Sequence, residues 1–326
     1  MEWKQLSERV MAGERISPDE ALCCLQSRDN DLLALLDAAF RVRRCYFKRG
    51  VRLHVIRNAR SGGCSEDCAY CSQSVSAKGE TPQYPWQSSA EIVAGAREAH
   101  RMGAFRYCVV SSGRAPSEAD IRHICETVRV LKAEVPIQVC VSLGLLTLEH
   151  ARQLKSAGVN RYNHNLETSE QFFPNICTTH TYADRIATVT VAKAAGLELC
   201  CGGLLGLGET LEDRVALAMA AREVQADSIP VNFLDPRPGT PFGCYPRMTP
   251  AECLRALAMF RFVNPSKEIR VAGGREACLG PMQVLALFAA NSMFTNGYLT
   301  TDGQGHQADL ALIKAAGFTI EEITHG

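Results

Sequence analysis

Cys64, Cys68 and Cys71 stand in the run Cys64-Ser-Glu-Asp-Cys68-Ala-Tyr-Cys71. The CxxxCxxC spacing brings three thiolates together on one short loop. A cubic iron–sulfur cluster held wholly by protein takes four cysteines, so three leave one iron open to a small-molecule ligand. A closed structural zinc site would need a fourth Cys or His nearby, and Gln73 to Glu80 supplies neither. The motif therefore points to a cluster that binds and reduces a small molecule.

Further cysteines fall in strand-like runs: Cys108, Cys140, and the adjacent pair Cys200 and Cys201. A single cysteine in a buried strand usually packs as a small hydrophobe, but three on neighbouring strands invite a second metal site. Side chains alternate along a strand, so Cys200 and Cys201 cannot both face one interior. Arg270, near the end of a later strand, reads by default as a salt-bridge partner. The runs Tyr162-Asn163-His164-Asn165-Leu166-Glu167 and Pro230-Val231-Asn232 end strands with carboxamides and a carboxylate. Such groups can pair with ribose, amide or urea donors and acceptors, or cap the following helices. His164 alone reads as a hydrogen-bonded structural histidine. Gly202, Gly203, Gly206 and Gly208 are spaced like a nucleotide-cradling loop, a weak signal by itself.

These residues need a scaffold, and one pattern recurs: an amphipathic helix, a Gly or Ala-Gly stop, then a short apolar strand. Eight candidate strands lie near 53–58, 106–111, 136–141, 160–165, 197–204, 228–233, 267–272 and 291–295. Predicted helices between them include 88–101, 117–132, 182–195, 209–224, 249–262 and 275–289. Eight such units make a (β/α)₈ TIM-type barrel, with catalytic groups at the C-terminal strand ends; an open doubly wound sheet is the alternative. Residues 1–48 read as an N-terminal helical extension, 49–301 as the barrel and 302–326 as a C-terminal cap segment with a helix near 309–317.

The composition suits an enzyme with one large core: 326 residues, 46% apolar and 21% charged. With 35 basic and 35 acidic residues the formal charge is zero, which gives no electrostatic case for nucleic acid or an anionic membrane. No apolar run approaches the roughly 18 residues of a membrane span. Fifteen cysteines without a secretion signal read as ligands, reactive groups or packing residues in a reducing compartment. A cytoplasmic location is expected.

CxxxCxxC with an aromatic before its last Cys resembles the radical S-adenosylmethionine superfamily. The Tyr162–Leu166 run, the Cys200–Glu209 run and Arg270-Val-Ala-Gly-Gly-Arg275-Glu276 resemble the biotin synthase family within it, over about residues 40 to 301. The resemblance implies that Cys64, Cys68 and Cys71 bind a [4Fe–4S] cluster whose open iron takes S-adenosylmethionine. Tyr70 would lie against its adenine, with Asn163, Glu167 and Arg185 nearby; the family often has Asp where Glu167 stands. Cys108, Cys140, Cys200 and Arg270 match the ligands of a [2Fe–2S] sulfur donor. Asn165 and Asn232 match the pair holding the ureido ring of dethiobiotin, and Thr300 and Thr301 the group receiving its carboxylate.

The implied activity is conversion of dethiobiotin to biotin by a homodimer supplied with electrons by a flavodoxin or ferredoxin type donor. Cys177 departs from the family pattern, standing where many members have an aliphatic residue, and is an alternative ligand of the auxiliary cluster. Two other functions compete with this one: a maturase or mutase of the same barrel type, and a non-catalytic iron–sulfur or zinc-binding protein.

Overall fold

The computed structural model describes residues 2–323; Met1 of the extension and residues 324–326 of the cap segment lie outside them. Helices α1 (Trp3–Met11), α2 (Pro18–Leu25) and α3 (Leu32–Phe47) lead into strand β1 (Gly50–Arg60). Next come α4 (Ser89–Arg101), β2 (Arg106–Ser111), α5 (Glu118–Glu134), β3 (Gln138–Ser142), α6 (Leu148–Ser156) and β4 (Arg161–Asn163). The second half runs α7 (Tyr182–Ala194), β5 (Glu198–Cys200), β6 (Gly203–Leu205), α8 (Leu211–Glu223), β7 (Ser228–Phe233), α9 (Pro250–Val263) and β8 (Glu268–Val271). It closes with α10 (Arg275–Leu279), β9 (Ser292–Phe294), α11 (His306–Ala315) and β10 (Thr319–Ile320).

The strands are parallel neighbours in the order β1-β2-β3-β4-β5-β7-β8-β9, β6 pairs with β7, and β9 closes on β1. β5 and β6 are two halves of one stave, so the sheet is an eight-stave (β/α)₈ barrel. The break in the predicted 197–204 strand has a steric cause. A Cβ on Gly202 would lie 2.1 Å from the Pro230 carbonyl oxygen, so only glycine lets the stave pass so close to β7. A second difference concerns the helix expected over 275–289. It stops at Leu279, because Gly280 takes φ 48° and Pro281 has no N–H to donate; a 3₁₀ helix, Gly280–Phe288, follows. β10, not anticipated, pairs with the start of β1.

The barrel helices begin where the sequence marks them. Ser88/Glu91, Ser117/Asp120, Thr181/Asp184, Thr210/Asp213 and Thr249/Glu252 form capping boxes at the starts of α4, α5, α7, α8 and α9, each satisfying two backbone donors that the helix leaves unpaired.

Alternation along the staves sorts the two faces. Tyr107, Val109, Val139, Val141 and Tyr162 point out into an apolar shell under α4 to α7. Leu199, Ile229, Val231, Ile269, Val271 and Met293 do the same elsewhere round the ring. On the outside, α2 packs against α8 and α9, α3 against α9, and α1 against α3. The intervening residues point inward, and many are polar: His54, Arg106, Arg161, Ser228, Glu268, Arg270 and Ser292 are all buried. Such a lining is costly unless every group finds a partner.

Candidate active site

The base of the barrel is an ion network centred on Glu268. Its carboxylate accepts hydrogen bonds from Arg270 Nη2 (2.8 Å), Ser228 Oγ (2.8 Å), Ser292 Oγ (3.2 Å) and Arg161 Nη1 (3.3 Å), and pairs with His54 Nε2 at 3.1 Å. Burial alone would raise this carboxyl, but the charges of Arg161 and Arg270 and the hydrogen bond from His54 outweigh it and hold Glu268 well below the usual carboxylate range. Burial, reinforced by Arg270, pushes His54 down to about 3. Glu198 completes the layer, accepting from Arg161 Nε at 2.9 Å and Arg106 Nη2 at 3.0 Å.

One layer up lie the thiols. Cys108 and Cys140 are register partners on β2 and β3 and share an interior patch with Phe294 and Ala272. Their mutual hydrogen bond lowers Cys108 and raises Cys140. Cys200 accepts from Asn163 Nδ2 at 3.1 Å and from Arg270 Nη1 at 3.6 Å. Cys201, its neighbour, points outward into the apolar shell with Leu199 and Leu217, as alternation requires. Arg270 Nε and Arg106 Nε and Nη1 are buried without a partner among the described residues. Unpaired buried guanidinium donors beside three inward thiols suit an anionic group rich in acceptors.

The Cys64–Cys71 loop forms the mouth. Gly62 and Gly63 carry it out of β1 with φ of 78° and 61°, a conformation glycine adopts at little cost. Two carboxylates inside the motif then clamp it to residues 176–180. Asp67 Oδ1 accepts from the backbone N–H groups of Thr178 (2.9 Å) and Thr179 (3.2 Å), and Glu66 Oε2 accepts from Thr179 Oγ1 at 2.8 Å. The Ala69 N–H donates to the Ile176 carbonyl at 2.9 Å. Burial opposes ionisation of Asp67, yet the donors from Thr178, Cys177 and Thr179 hold it well below its usual value.

Between mouth and base lies one cavity of about 300 Å³, at the lower end of the range for small-molecule sites. Its walls include Cys64, Cys68, Cys71, Tyr70, Cys108, Cys140, Asn163, Asn165, Glu167, Arg185, Asn232 and Arg270; Cys200 is buried directly behind Asn163. Glu167 takes the left-handed φ of 70°. It is held there by its bridge to Gly203 and by Leu204, whose N–H donates to the Glu167 carbonyl at 2.8 Å. Its carboxylate lies 3.7 Å from Arg185 Nη1, and burial raises it despite that charge.

Asn165 and Asn232 do not cap helices. Asn165 Oδ1 accepts from the Gly202 N–H at 3.2 Å; Asn232 donates to the Gly203 carbonyl at 3.0 Å and accepts from the Gly273 N–H at 2.9 Å. The glycines at 202 and 203 serve these close approaches of backbone to backbone; they do not form a cradle. His164 differs from its expected role, since its buried Nε2 has no partner among the described residues. Thr300 and Thr301 lie outside the cavity wall. Thr300 Oγ1 is 3.1 Å from Ser72 Oγ, and the Thr301 carbonyl accepts from the Tyr298 N–H at 2.9 Å.

Cys177 is not among the inward thiols of β2, β3 and β5. Its sulfur is 3.9 Å from Cys68 Sγ, 3.2 Å from Asp67 Oδ1 and 3.3 Å from His180 Nδ1. The bond from Cys68 pulls it down to about 4 and pushes Cys68 up. Sequence reasoning missed the ion network and the Glu66/Asp67 clamp. The network had a signal, a charged or polar residue at every second position of the staves, as in Arg161-Tyr-Asn163 and Glu268-Ile-Arg270.

Comparison with known proteins agrees with this geometry. Residues 59–221 match the Radical SAM superfamily, and residues 230–319 match the Biotin and Thiamin Synthesis associated domain. A protein of Salinibacter ruber named biotin synthase is 52% identical over 316 residues, covering 97% of this chain and 88% of its own. One of Lysinibacillus sphaericus with the same name is 48% identical, covering 98% and 97%. Among solved structures, a methylornithine synthase superposes with a TM-score of 0.86 at 19% identity, covering 97% of both chains. The FeFe-hydrogenase maturase HydG of Carboxydothermus hydrogenoformans gives 0.84 at 19%, covering 99% of this chain and 80% of its own. At that identity, the structural likeness concerns the fold alone.

Proposed function

This chain belongs to the biotin synthase family of the radical S-adenosylmethionine superfamily, and on that premise we infer that it converts dethiobiotin to biotin by radical insertion of sulfur. In this reading Cys64, Cys68 and Cys71 hold a [4Fe–4S] cluster at the mouth. Cys108, Cys140, Cys200 and Arg270 hold an auxiliary [2Fe–2S] or related cluster above the ion network. When bound, these clusters and S-adenosylmethionine supply the one-electron chemistry and the sulfur atom.

The protein's own part is positioning and exclusion. Breaking an unactivated C–H bond offers no acidic proton, so the site needs no general base; it needs reacting groups held close and stray hydrogen donors kept away. Tyr70, Asn163, Glu167 and Arg185 are the candidates to hold S-adenosylmethionine. Asn165 and Asn232, each already pinned to a neighbouring stave, are suited to present carboxamides to the ureido ring of dethiobiotin in a fixed orientation. Thr300 and Thr301 are assigned to its carboxylate tail; Thr300 lies against Ser72, directly after the cysteine loop of the mouth. Glu268 and Ser228 hold Arg270 Nη2, leaving Nη1 directed at Cys200.

The observation that carries the reading is the shared cavity: three thiols at its mouth, a second set at its base, and carboxamides between them. The same reading includes a flavodoxin or ferredoxin type reductant, a homodimer, a cytoplasmic location, and the division at residues 48 and 301. Among the described residues no helix is long and apolar enough to cross a membrane. The deciding assay is anaerobic, with dethiobiotin, S-adenosylmethionine and dithionite, following biotin and 5′-deoxyadenosine together. Both products should appear. 5′-Deoxyadenosine without biotin would instead favour another radical enzyme of this barrel type, and neither product would leave a non-catalytic metal protein.

A further inference from the structure

Cys177 belongs to neither thiol set, yet its sulfur stands 3.9 Å from that of Cys68. The two residues flank one backbone hydrogen bond, in which the Ala69 N–H donates to the Ile176 carbonyl at 2.9 Å. Asp67 fastens the same two segments a second time, through the Thr178 and Thr179 N–H groups. The sulfurs are thereby held facing each other. Closing them to a disulfide bond of about 2.0 Å asks each to swing by about 1 Å. The motif thiols are not gathered in this way: among the described residues, Cys64, Cys68 and Cys71 do not all lie within 4.8 Å of one another.

Access to the pair is one-sided. Cys68 lines the cavity, whereas Cys177 is buried, with Thr179 Oγ1 at 3.5 Å and His180 Nδ1 at 3.3 Å from its sulfur. A small oxidant entering by the mouth therefore meets Cys68 first. An oxidised cysteine passes through a sulfenic acid, which a neighbouring thiol traps as a reversible disulfide; with no such neighbour, oxidation runs on to sulfinic acid, which thiol reductants do not reverse. Cys177 is placed as that neighbour.

We propose that Cys177 is the resolving thiol of Cys68: in protein that does not carry its mouth cluster, hydrogen peroxide converts the pair to a disulfide. The peroxide O–O bond breaks as one oxygen passes to the Cys68 sulfur, giving a sulfenic acid and one water. The Cys177 sulfur then attacks the Cys68 sulfur. The S–O bond breaks, its hydroxide leaves with the Cys177 thiol proton as a second water, and the S–S bond forms. The two thiols lose two electrons and two protons, which reduce the peroxide to those two waters. The disulfide withholds one of the three motif thiols, so cluster assembly waits for a thiol reductant while Cys68 is kept from irreversible oxidation.

The test uses the full-length protein stripped of clusters, freed of reductant and treated with stoichiometric hydrogen peroxide. Remaining thiols are alkylated and the disulfides mapped by peptide mass spectrometry. Wild type should yield a peptide pair linking Cys68 to Cys177, with alkylation lost at both. After dithiothreitol, anaerobic iron and sulfide should restore the electron paramagnetic resonance of the reduced [4Fe–4S] cluster; without dithiothreitol that signal should stay low. In Cys177→Ser, Cys68 should go on to sulfinic acid, and dithiothreitol should no longer rescue the signal. The wild-type map needs no variant, so the test stands even if Cys177→Ser does not fold. The proposal is overturned if Cys68 is linked instead to Cys64 or Cys71, if Cys177 stays open to alkylation, or if folded Cys177→Ser regains its cluster signal as fully as wild type. Such a failure leaves the biotin-forming reading standing, since that is judged by biotin and 5′-deoxyadenosine.

Discussion

Glu268 Oε1 accepts a hydrogen bond from Arg270 Nη2 at 2.8 Å across a single turn of strand alternation, both side chains pointing into the barrel. The pair is fully buried, and the other end of the same guanidinium faces Cys200 at 3.6 Å. A carboxylate in the base of the barrel thus fixes which edge of Arg270 is offered to the thiol layer.

Glu268→Gln removes the charge on which Arg161, Arg270 and His54 converge while keeping the shape. Breaking a buried pair by removing one partner costs about 3–5 kcal/mol, so urea denaturation should show a loss of that order. Arg270 should also lose its fixed orientation, and the visible absorption of the auxiliary cluster should shift. An unchanged spectrum in a folded variant would mean that Glu268 is structural only.

The two thiol sets should separate by substitution. Cys68→Ala should abolish 5′-deoxyadenosine formation altogether. Cys140→Ala should leave part of it while stopping biotin production, with liquid chromatography of both products as the measurement. Biotin formed by Cys140→Ala would sink the assignment of the base thiols as holders of the sulfur donor.

Gly203→Ala places a Cβ 2.3 Å from the Glu167 carbonyl oxygen and 2.7 Å from Leu217 Cδ2. Neither backbone nor packed core can yield cheaply, so a loss on the order of 3 kcal/mol is expected. Because the displaced residue is Glu167, S-adenosylmethionine binding measured by equilibrium dialysis should weaken alongside the thermal midpoint. A melt equal to wild type would contradict the close approach.

Asp120 gives a pH signature remote from the metal ligands. It caps α5 through Ser117 and accepts from Trp86 Nε1 and Arg60. Burial raises its carboxyl, but the Ser117, Trp86 and Arg60 interactions outweigh this and hold it below 3.8. Its contribution is therefore full above its unfolded pKa and is lost as pH falls through the lower folded value. Asp120→Asn should be less stable than wild type by about 1 kcal/mol at neutral pH. The gap should close only below about pH 4, as read by thermal melts across pH.

The helices and staves were legible because each carries a local cause. Ser117 followed by Asp120, or Thr249 by Glu252, announces a helix start through hydrogen bonds made within four residues. The two errors of extent, at Gly202 and Gly280, arose where the carbonyl of Pro230 or the Gly280-Pro281 pair overrode a periodic apolar pattern. Cys64, Cys68 and Cys71 were legible for the same reason as the caps: their chemistry depends on spacing along one loop.

The amino-acid sequence by itself determined the barrel, the three-thiol loop and the family, all of which rest on short-range periodicity or contiguous motifs. Only the tertiary structure decided that Cys200 faces in while Cys201 faces out, that Glu268 anchors Arg270, and that Cys177 stands beside Cys68 across 109 residues of chain. Alternation says that two neighbours in a strand point opposite ways, but not which one faces the lumen. Closure of the ring sets that, by burying one face against helices and leaving the other to find partners across the interior.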